Sequence, residues 1–172
     1  MQVVVRRLEQ RDDVENFDCG DEPLNNYLKR YAWINQARMS IGVTYVALDD
    51  SAPRTVLGYF TLAMSSAGRE AFPKHYARGL PGYAVPLILL ARLGVDKRFT
   101  GRGLGHALMS EAFRITWRVA DEVGCRCMIT DAYRDRVAWY ARYGFVPIAG
   151  APEDRPQRMF LDVRTIRAAS RR

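Results

Sequence analysis

The sequence predicts a single α/β domain, and three observations carry that prediction. The chain has 172 residues, a length at which one domain buries a real core. Segments rich in β-branched and aromatic residues alternate with segments whose apolar residues recur every three or four positions. Leu87 to Val95 is an almost unbroken apolar run, the pattern of a strand buried on both faces, and a glycine cluster and an amphipathic stretch follow it.

Val3 to Leu8 reads as the first strand. Leu24, Tyr27, Leu28, Tyr31 and Ala32 share one helical face, so a helix starts near Asp21 and Pro23 and is broken by Gly42. Val43 to Leu48 and Thr55 to Ala63 form a hairpin across the turn residues Asp49 to Arg54. Met64 to Pro86, with its prolines and glycines, is expected to hold a short helix and loops. The central strand follows, and then a helix with Leu104, Ala107, Leu108, Ala112, Ile115 and Val119 along one stripe, ended by Gly124. Cys125 to Thr130 is a further strand, Asp135 caps a short helix through Arg142, and Val146 to Ile148 pairs with Arg158 to Val163. There is no internal repeat and no interdomain linker. The domain is expected to run from 1 to 163, with a basic C-terminal tail over 164–172.

Composition excludes several classes. No apolar run approaches the roughly 20 residues that span a bilayer. Met1 to Arg11 is a short apolar run among charges and lacks the pattern of a signal peptide, so a cytoplasmic protein is expected. Cys19, Cys125 and Cys127 make no disulfide framework. With two histidines in the chain no zinc site is expected, and the thiols read as buried and reduced. The formal net charge is +7, and Arg164, Arg167, Arg171 and Arg172 supply more than half of it. The rest is regional. Pro23 to Leu48 carries Lys29, Arg30 and Arg38 with no acidic residue. Met64 to His106 carries seven basic residues against Glu70 and Asp96. Such patches suit either a phosphate-rich partner or a plain solvated surface.

The chemistry concentrates in Arg98-Phe-Thr-Gly-Arg-Gly-Leu-Gly-His106. Glycines let backbone N–H groups approach an anion, and the following helix offers unpaired N–H groups and the positive end of its dipole. The segment is not a P-loop, because no Gly-Lys-Ser/Thr closes it. A dinucleotide fingerprint would need glycine where His106 stands. By itself it could also be a tight turn before a helix.

Arg98-x-x-Gly101-x-Gly103 resembles the acetyl-CoA signature of GNAT acetyltransferases, and Trp139-Tyr-Ala-Arg-Tyr-Gly-Phe145 resembles the family's Phe-Tyr-x-x-x-Gly-Phe segment, with Trp139 in place of the usual Phe. The resemblance implies a mixed, mostly antiparallel central sheet flanked by helices. It implies that Arg98 and the amides of Gly101, Arg102, Gly103, Leu104, Gly105 and His106 bind the pyrophosphate of acetyl-CoA, and that the strand at Leu93 and Val95 pairs with the pantetheine arm. It makes Tyr140 the general acid. Phe17-x-Cys-Gly20, Leu24-Asn-x-Tyr-Leu28, Gly58-Tyr-Phe-Thr-Leu62, Leu80-Pro-x-Tyr-x-Val-Pro86 and Leu89-Leu-Ala-Arg-Leu93 narrow the likeness to the GNAT toxins of bacterial toxin–antitoxin modules, the TacT type, over about Val3 to Val163. That implies acetylation of the α-amino group of aminoacyl-tRNA, neutralisation by a ribbon–helix–helix antitoxin, and a homodimer.

The residues agree with this chemistry without demanding it. An α-amino group titrates near 7.7–8.0, so a strong base is unnecessary. What remains is positioning, oxyanion stabilisation and a proton for the departing thiolate. Tyr140 is either that donor or a core aromatic among Trp139, Tyr143 and Phe145. His75, in the irregular segment, and His106 are either site residues or incidental. Arg92, mid-way along the apolar strand, contacts substrate RNA or forms a buried ion pair with Asp131 or Glu111. Lys29 and Arg78 are candidate phosphate contacts. A protein or small-molecule N-acetyltransferase shares the glycine loop but not the basic regions, and a non-catalytic CoA- or nucleic-acid-binding module would dispense with Tyr140.

Overall fold

The computed structural model describes residues 2–148 and 152–169, so Arg171 and Arg172 of the basic tail lie outside it. The chain forms two compact units, residues 1–63 with 91–113 and residues 64–90 with 114–172.

In the first unit, β1 (Val3–Arg7), β2 (Val43–Asp49) and β3 (Ala52–Ala67) are antiparallel neighbours, and β3 lies beside β4 (Val85–Val95). Asp21 accepts the Leu24 N–H and opens α1 (Glu22–Asn26), with Pro23 in its first turn. The helix runs on through a π-helical turn (Tyr27–Tyr31), the short α2 (Ala32–Ile34) and a second π-turn (Asn35–Met39). It ends at Ser40, whose φ of 55° is left-handed, rather than at Gly42 as expected from the sequence. Leu28 and Ala32 of this helix pack with Phe17, Val46, Leu48, Val56 and Tyr59 into one buried cluster. Of the expected apolar face, Leu28 and Ala32 are buried and Leu24 and Tyr27 pack half-buried against the cluster, but Tyr31 is 50% exposed.

The second unit holds the strand order β4-β5-β7-β6. β5 (Cys127–Ala132) is parallel to β4, with Leu87 opposite Cys127 and Leu89 opposite Ile129. β7 (Gln157–Asp162) is antiparallel to β5 and to β6 (Val146–Pro147). The seven-stranded sheet is thus mixed and mostly antiparallel, as the sequence led us to expect. Phe72, Leu80, Val85, Leu87, Ile129 and Phe160 form this unit's buried cluster. The segment between β3 and β4 holds the expected short helix, α3 (Lys74–Ala77), after a 3-10 turn (Arg69–Ala71), and His75 lies in that helix rather than in a loop.

α4 (Leu104–Glu122) follows the stripe read from the sequence: Leu104, Leu108, Ala112 and Ile115 are buried. It stops before Gly124, whose φ is 101°. Two other expectations change. Asp135 does not cap a helix; it sits inside a 3-10 turn (Arg134–Arg136), and α5 (Val137–Ala141) begins at Arg136 with no side-chain cap. Cys125, expected to begin the strand, precedes β5, and its thiol reaches the Cys127 carbonyl at 3.3 Å. The basic tail starts as α6 (Val163–Ala169), with Val163 and Ile166 buried. Among the described residues, no helix is long and apolar enough to cross a membrane, and no cluster of His, Cys, Asp and Glu could hold a metal.

Gly58 of β3 lies against Leu108 of α4. A Cβ there would lie 3.0 Å from Leu108 Cδ1 and 3.1 Å from the Gly94 carbonyl oxygen. The carbonyl belongs to β4 and yields little. Gly58→Ala is therefore expected to destabilise by about 1–3 kcal/mol through overpacking. In urea melts this appears as a lower midpoint at an unchanged slope.

Candidate active site and cofactor loop

The glycine loop is organised from beneath by a buried carboxylate. Asp96 directly follows β4, and its side chain is 0% exposed. It accepts the backbone N–H groups of Arg98 (2.9 Å) and Asp18 (3.1 Å), and the Arg98 guanidinium at Nε (2.9 Å) and Nη2 (2.8 Å). Arg98 Nη2 also donates to the Asn16 carbonyl at 3.1 Å. Burial alone would raise the Asp96 pKa. The bonds from the Arg98 side chain and from the two amides outweigh it and hold the carboxyl below its ordinary value. The side chain of Arg98, expected at the cofactor, is thus directed at Asp96, which leaves the amides that follow it as the candidate phosphate donors.

Those amides are well placed. Gly101 and Gly103 adopt φ of 80° and 81°, in the left-handed region that favours glycine. A Cβ on either would meet nothing within 4 Å, so the space above the loop is open. The Gly103 carbonyl accepts the Ala107 N–H at 3.0 Å, which starts α4, and Leu104 is buried as its anchor. Arg102, Gly105 and His106 sit on or beside this first turn, and the Arg102 guanidinium lies 5.4 Å from the Phe99 ring centre. An exposed left-handed backbone running into the N-terminus of a 19-residue helix fits a pyrophosphate. Leu93 and Val95, both half-buried, flank Gly94, where a Cβ would lie 3.3 Å from Tyr59 and 3.4 Å from the Cys19 sulfur.

Arg92 has neither of the ion-pair partners considered. It is exposed, its guanidinium lies 4.9 Å from the Tyr27 ring centre, and Nη1 donates to the Ala91 carbonyl at 2.6 Å. Tyr27 in turn stacks on Tyr59 at 6.4 Å, and the Tyr59 hydroxyl donates to the Leu24 carbonyl. Asp131 is instead clamped by Arg158 at 2.8 and 2.9 Å. A strand cation on an aromatic pillar was not foreseen, because the pairing is between residues 65 apart in sequence. Lys29, half-buried, and Arg30, exposed, line a groove of about 330 Å³ with Glu9, Asp12, Asp13 and Glu15.

In the second unit, Tyr140 is 8% exposed. Gly144, with φ of 91°, turns the chain so that the N–H groups of Tyr143 and Phe145 return to the Tyr140 carbonyl. Trp139 and Phe145 pack edge-on against its ring at 5.0 and 5.5 Å. Burial raises the phenol pKa, and a hydrogen bond with Thr130 opposes the rise. Thr130 is itself buried and donates to the Leu90 carbonyl at 3.1 Å, one residue past the Leu89–Ile129 pair. Tyr140 is therefore both a packed aromatic and a hydroxyl wired to the end of the β4–β5 ladder; it stays protonated at neutral pH, as a general acid must. Thr130 was missed in the sequence, where it is one β-branched strand residue among several. Arg78 is exposed just after α3.

Comparison with known proteins agrees with this geometry. The acetyltransferase (GNAT) domain family matches residues 40–147. A tRNA-acetylating toxin of Mycobacterium tuberculosis (strain ATCC 25618 / H37Rv) is 33% identical over 141 residues, 81% of this chain and 82% of that protein. The chain belongs to the GNAT acetyltransferase family. Among solved structures, AtaT complexed with acetyl-methionyl-tRNAfMet superposes with a TM-score of 0.86 at 27% identity, covering 98% of this chain and 99% of that one. AtaTR bound with AcCoA gives 0.80 at 26% identity, covering 98% of each chain. An AtaT mutant bound to the C-terminus of the antitoxin AtaR gives 0.79 at 26%, covering 97% of each. The GNAT fold and an acetyltransferase, both expected from the two motifs, stand.

Acetyl-CoA that binds only the folded protein raises its melting temperature by mass action. Valine at position 103 would have to adopt a φ near 81° and would fill the open space above the loop. Gly103→Val is expected to lower the baseline melting temperature and to abolish the acetyl-CoA-dependent rise in a thermal-shift titration. A rise of wild-type size would remove this loop from the cofactor site.

Proposed function

We propose that this GNAT protein transfers acetyl from acetyl-CoA to the α-amino group of aminoacyl-tRNA. It acts in the cytoplasm as the translation-blocking toxin of a toxin–antitoxin module. The observation that carries the reading is the cofactor loop on its buried Asp96, found in a chain 33% identical to a tRNA-acetylating toxin. The fold-wide likeness to AtaT with acetyl-methionyl-tRNAfMet supports the same substrate class. The likeness to AtaT with its antitoxin supports a protein partner, which we take to be of the ribbon–helix–helix type, and we expect the active form to be a homodimer.

Acetyl-CoA supplies a thioester-activated acetyl group. The amides of Gly101 to His106 hold its pyrophosphate, and Leu93 and Val95 present backbone groups to the pantetheine arm. The aminoacyl amine, with a pKa near 7.7–8.0 or below, is substantially neutral at physiological pH and attacks without a dedicated base. Tyr140, kept protonated by burial, would give its proton to the departing thiolate, and the proton that the amine sheds on becoming an amide would restore the phenol. Arg92, Lys29 and Arg78 bind the RNA, with Arg92 presented on the Tyr27 ring.

Two outcomes test this reading. Tyr140→Phe keeps the packed ring and removes the proton. Turnover is expected to fall by roughly 10²–10⁴-fold with acetyl-CoA affinity unchanged by calorimetry; a fully active, folded variant would return Tyr140 to a packing role. Acetylation of a charged tRNA pool should weaken steeply with salt, with a log–log slope of about −0.7 to −0.9 per phosphate neutralised. Arg78→Ala and Lys29→Ala should each flatten that slope by about one unit. Activity on peptides or free amines but not on aminoacyl-tRNA would leave only the acetyltransferase.

A further inference from the structure

The second unit contains a polar cluster that no step above uses. The Tyr76 hydroxyl donates to Asp162 Oδ2 at 2.7 Å and lies 3.0 Å from the Cys127 sulfur. Asp162 also receives Arg126 Nη2 at 3.1 Å and Arg164 Nη2 at 2.8 Å. The Arg126 guanidinium lies 5.3 Å from the Tyr76 ring centre. Burial works against the Asp162 carboxylate, yet the bonds from Arg164 and Tyr76 hold its pKa at about 2. Burial lifts the Cys127 thiol to about 11, which leaves it protonated and inert. Asp162 remains paired with two arginines whether or not Tyr76 has its hydroxyl.

α3 is what this cluster holds. Four residues, Lys74–Ala77, between Pro73 and Gly79 cannot maintain a helix alone. Phe72 and Leu80 are buried at either end of the segment, and the Tyr76 ring packs 4.8 Å from Phe160 and 5.5 Å from Phe72. Those contacts tether the segment, but aromatic packing tolerates rotation. The hydroxyl bond, short and to a charged acceptor, fixes one setting of the helix about its axis. Lys74 and Arg78 stand two residues before and two after Tyr76, four apart and hence on one face, and both are exposed. The setting that Tyr76 fixes is therefore the direction in which these two cations point.

We propose that Tyr76 is a positioning residue for RNA binding: its hydroxyl, bonded to Asp162, sets α3 so that Lys74 and Arg78 bind adjacent backbone phosphates together. This rests on the aminoacyl-tRNA reading above. Tyr76 touches no reacting group, so it governs affinity for the RNA and leaves the chemical step alone.

The test is steady-state acetylation of charged tRNA together with direct tRNA binding at several salt concentrations. It compares wild type, Tyr76→Phe, Lys74→Ala with Arg78→Ala, and the triple variant. Tyr76→Phe keeps the ring on Phe160 and should fold. It is expected to raise KM for charged tRNA three- to tenfold and to flatten the salt slope, with kcat and acetyl-CoA affinity unchanged. In the background lacking both cations it should have no further effect on KM. Normal RNA affinity in Tyr76→Phe, or an equal loss with and without the two cations, would overturn the positioning role while leaving the substrate reading intact. A wild-type protein with no salt-dependent tRNA binding would sink the substrate reading itself.

Discussion

A carboxylate buried beneath an anion-binding loop is an arrangement that the rest of the site has to accommodate. Asp96 has no exposed side-chain surface and sits next to a loop built to attract phosphate. An unpaired charge there would be costly. It is tolerated because four N–H donors converge on it, three of them from Arg98. The same bonds draw Arg98 inward and join the 16–18 segment to the loop through Asn16 and Asp18. Gly101 and Gly103 then have to take left-handed conformations for the chain to climb from this anchor to the start of α4. The candidate cofactor loop thus rests on one neutralised carboxylate, and the donors it offers are backbone groups more than side chains.

The sequence was informative wherever a local pattern mapped onto a single local structure. The apolar run of β4, the glycine spacing and the α4 stripe each specify their element, and the observed bounds lie within a few residues of those expected. Asp21 as a helix cap is of the same kind, since the cap bond is closed within three residues. Asp135 shows the limit. It has cap chemistry at the right distance from α5, yet the preceding 3-10 turn takes up that position. Residues whose role depends on distant partners left little trace. Thr130 looked like a strand filler and Tyr27 like a core aromatic. Each acquires its role from a partner that only the folded sheet brings near.

Tyr140 and Arg92 illustrate two solutions to placing polar chemistry on apolar elements. Tyr140 is packed on all sides and speaks through a single hydroxyl, oriented by Thr130, so its geometry is fixed at the expense of solvent access. Arg92 projects from a strand and gains orientation from a ring face instead of a counter-ion. A carboxylate partner would have cancelled the charge; an aromatic one leaves it available to a phosphate. That difference suits a proton donor in one case and an anion receptor in the other.

The helix beginning at Glu22 contains two wide turns, and its far end is stitched to the sheet by one amide. Gln36 donates to the Leu8 carbonyl at 2.9 Å and accepts the Thr44 N–H at 3.0 Å. A wide turn holds one residue more than an ordinary one, and each residue advances a helix by about 100°. Losing a single residue from Tyr27–Tyr31 would restore an ordinary turn, and because the wide turn takes up its extra residue within one revolution, Gln36 would keep nearly the same azimuth and both of its backbone bonds. The wide turns are therefore the places where this helix can gain or lose a residue without moving the amide that ties it to Leu8 and Thr44, whereas a deletion between them would swing Gln36 by about 100°.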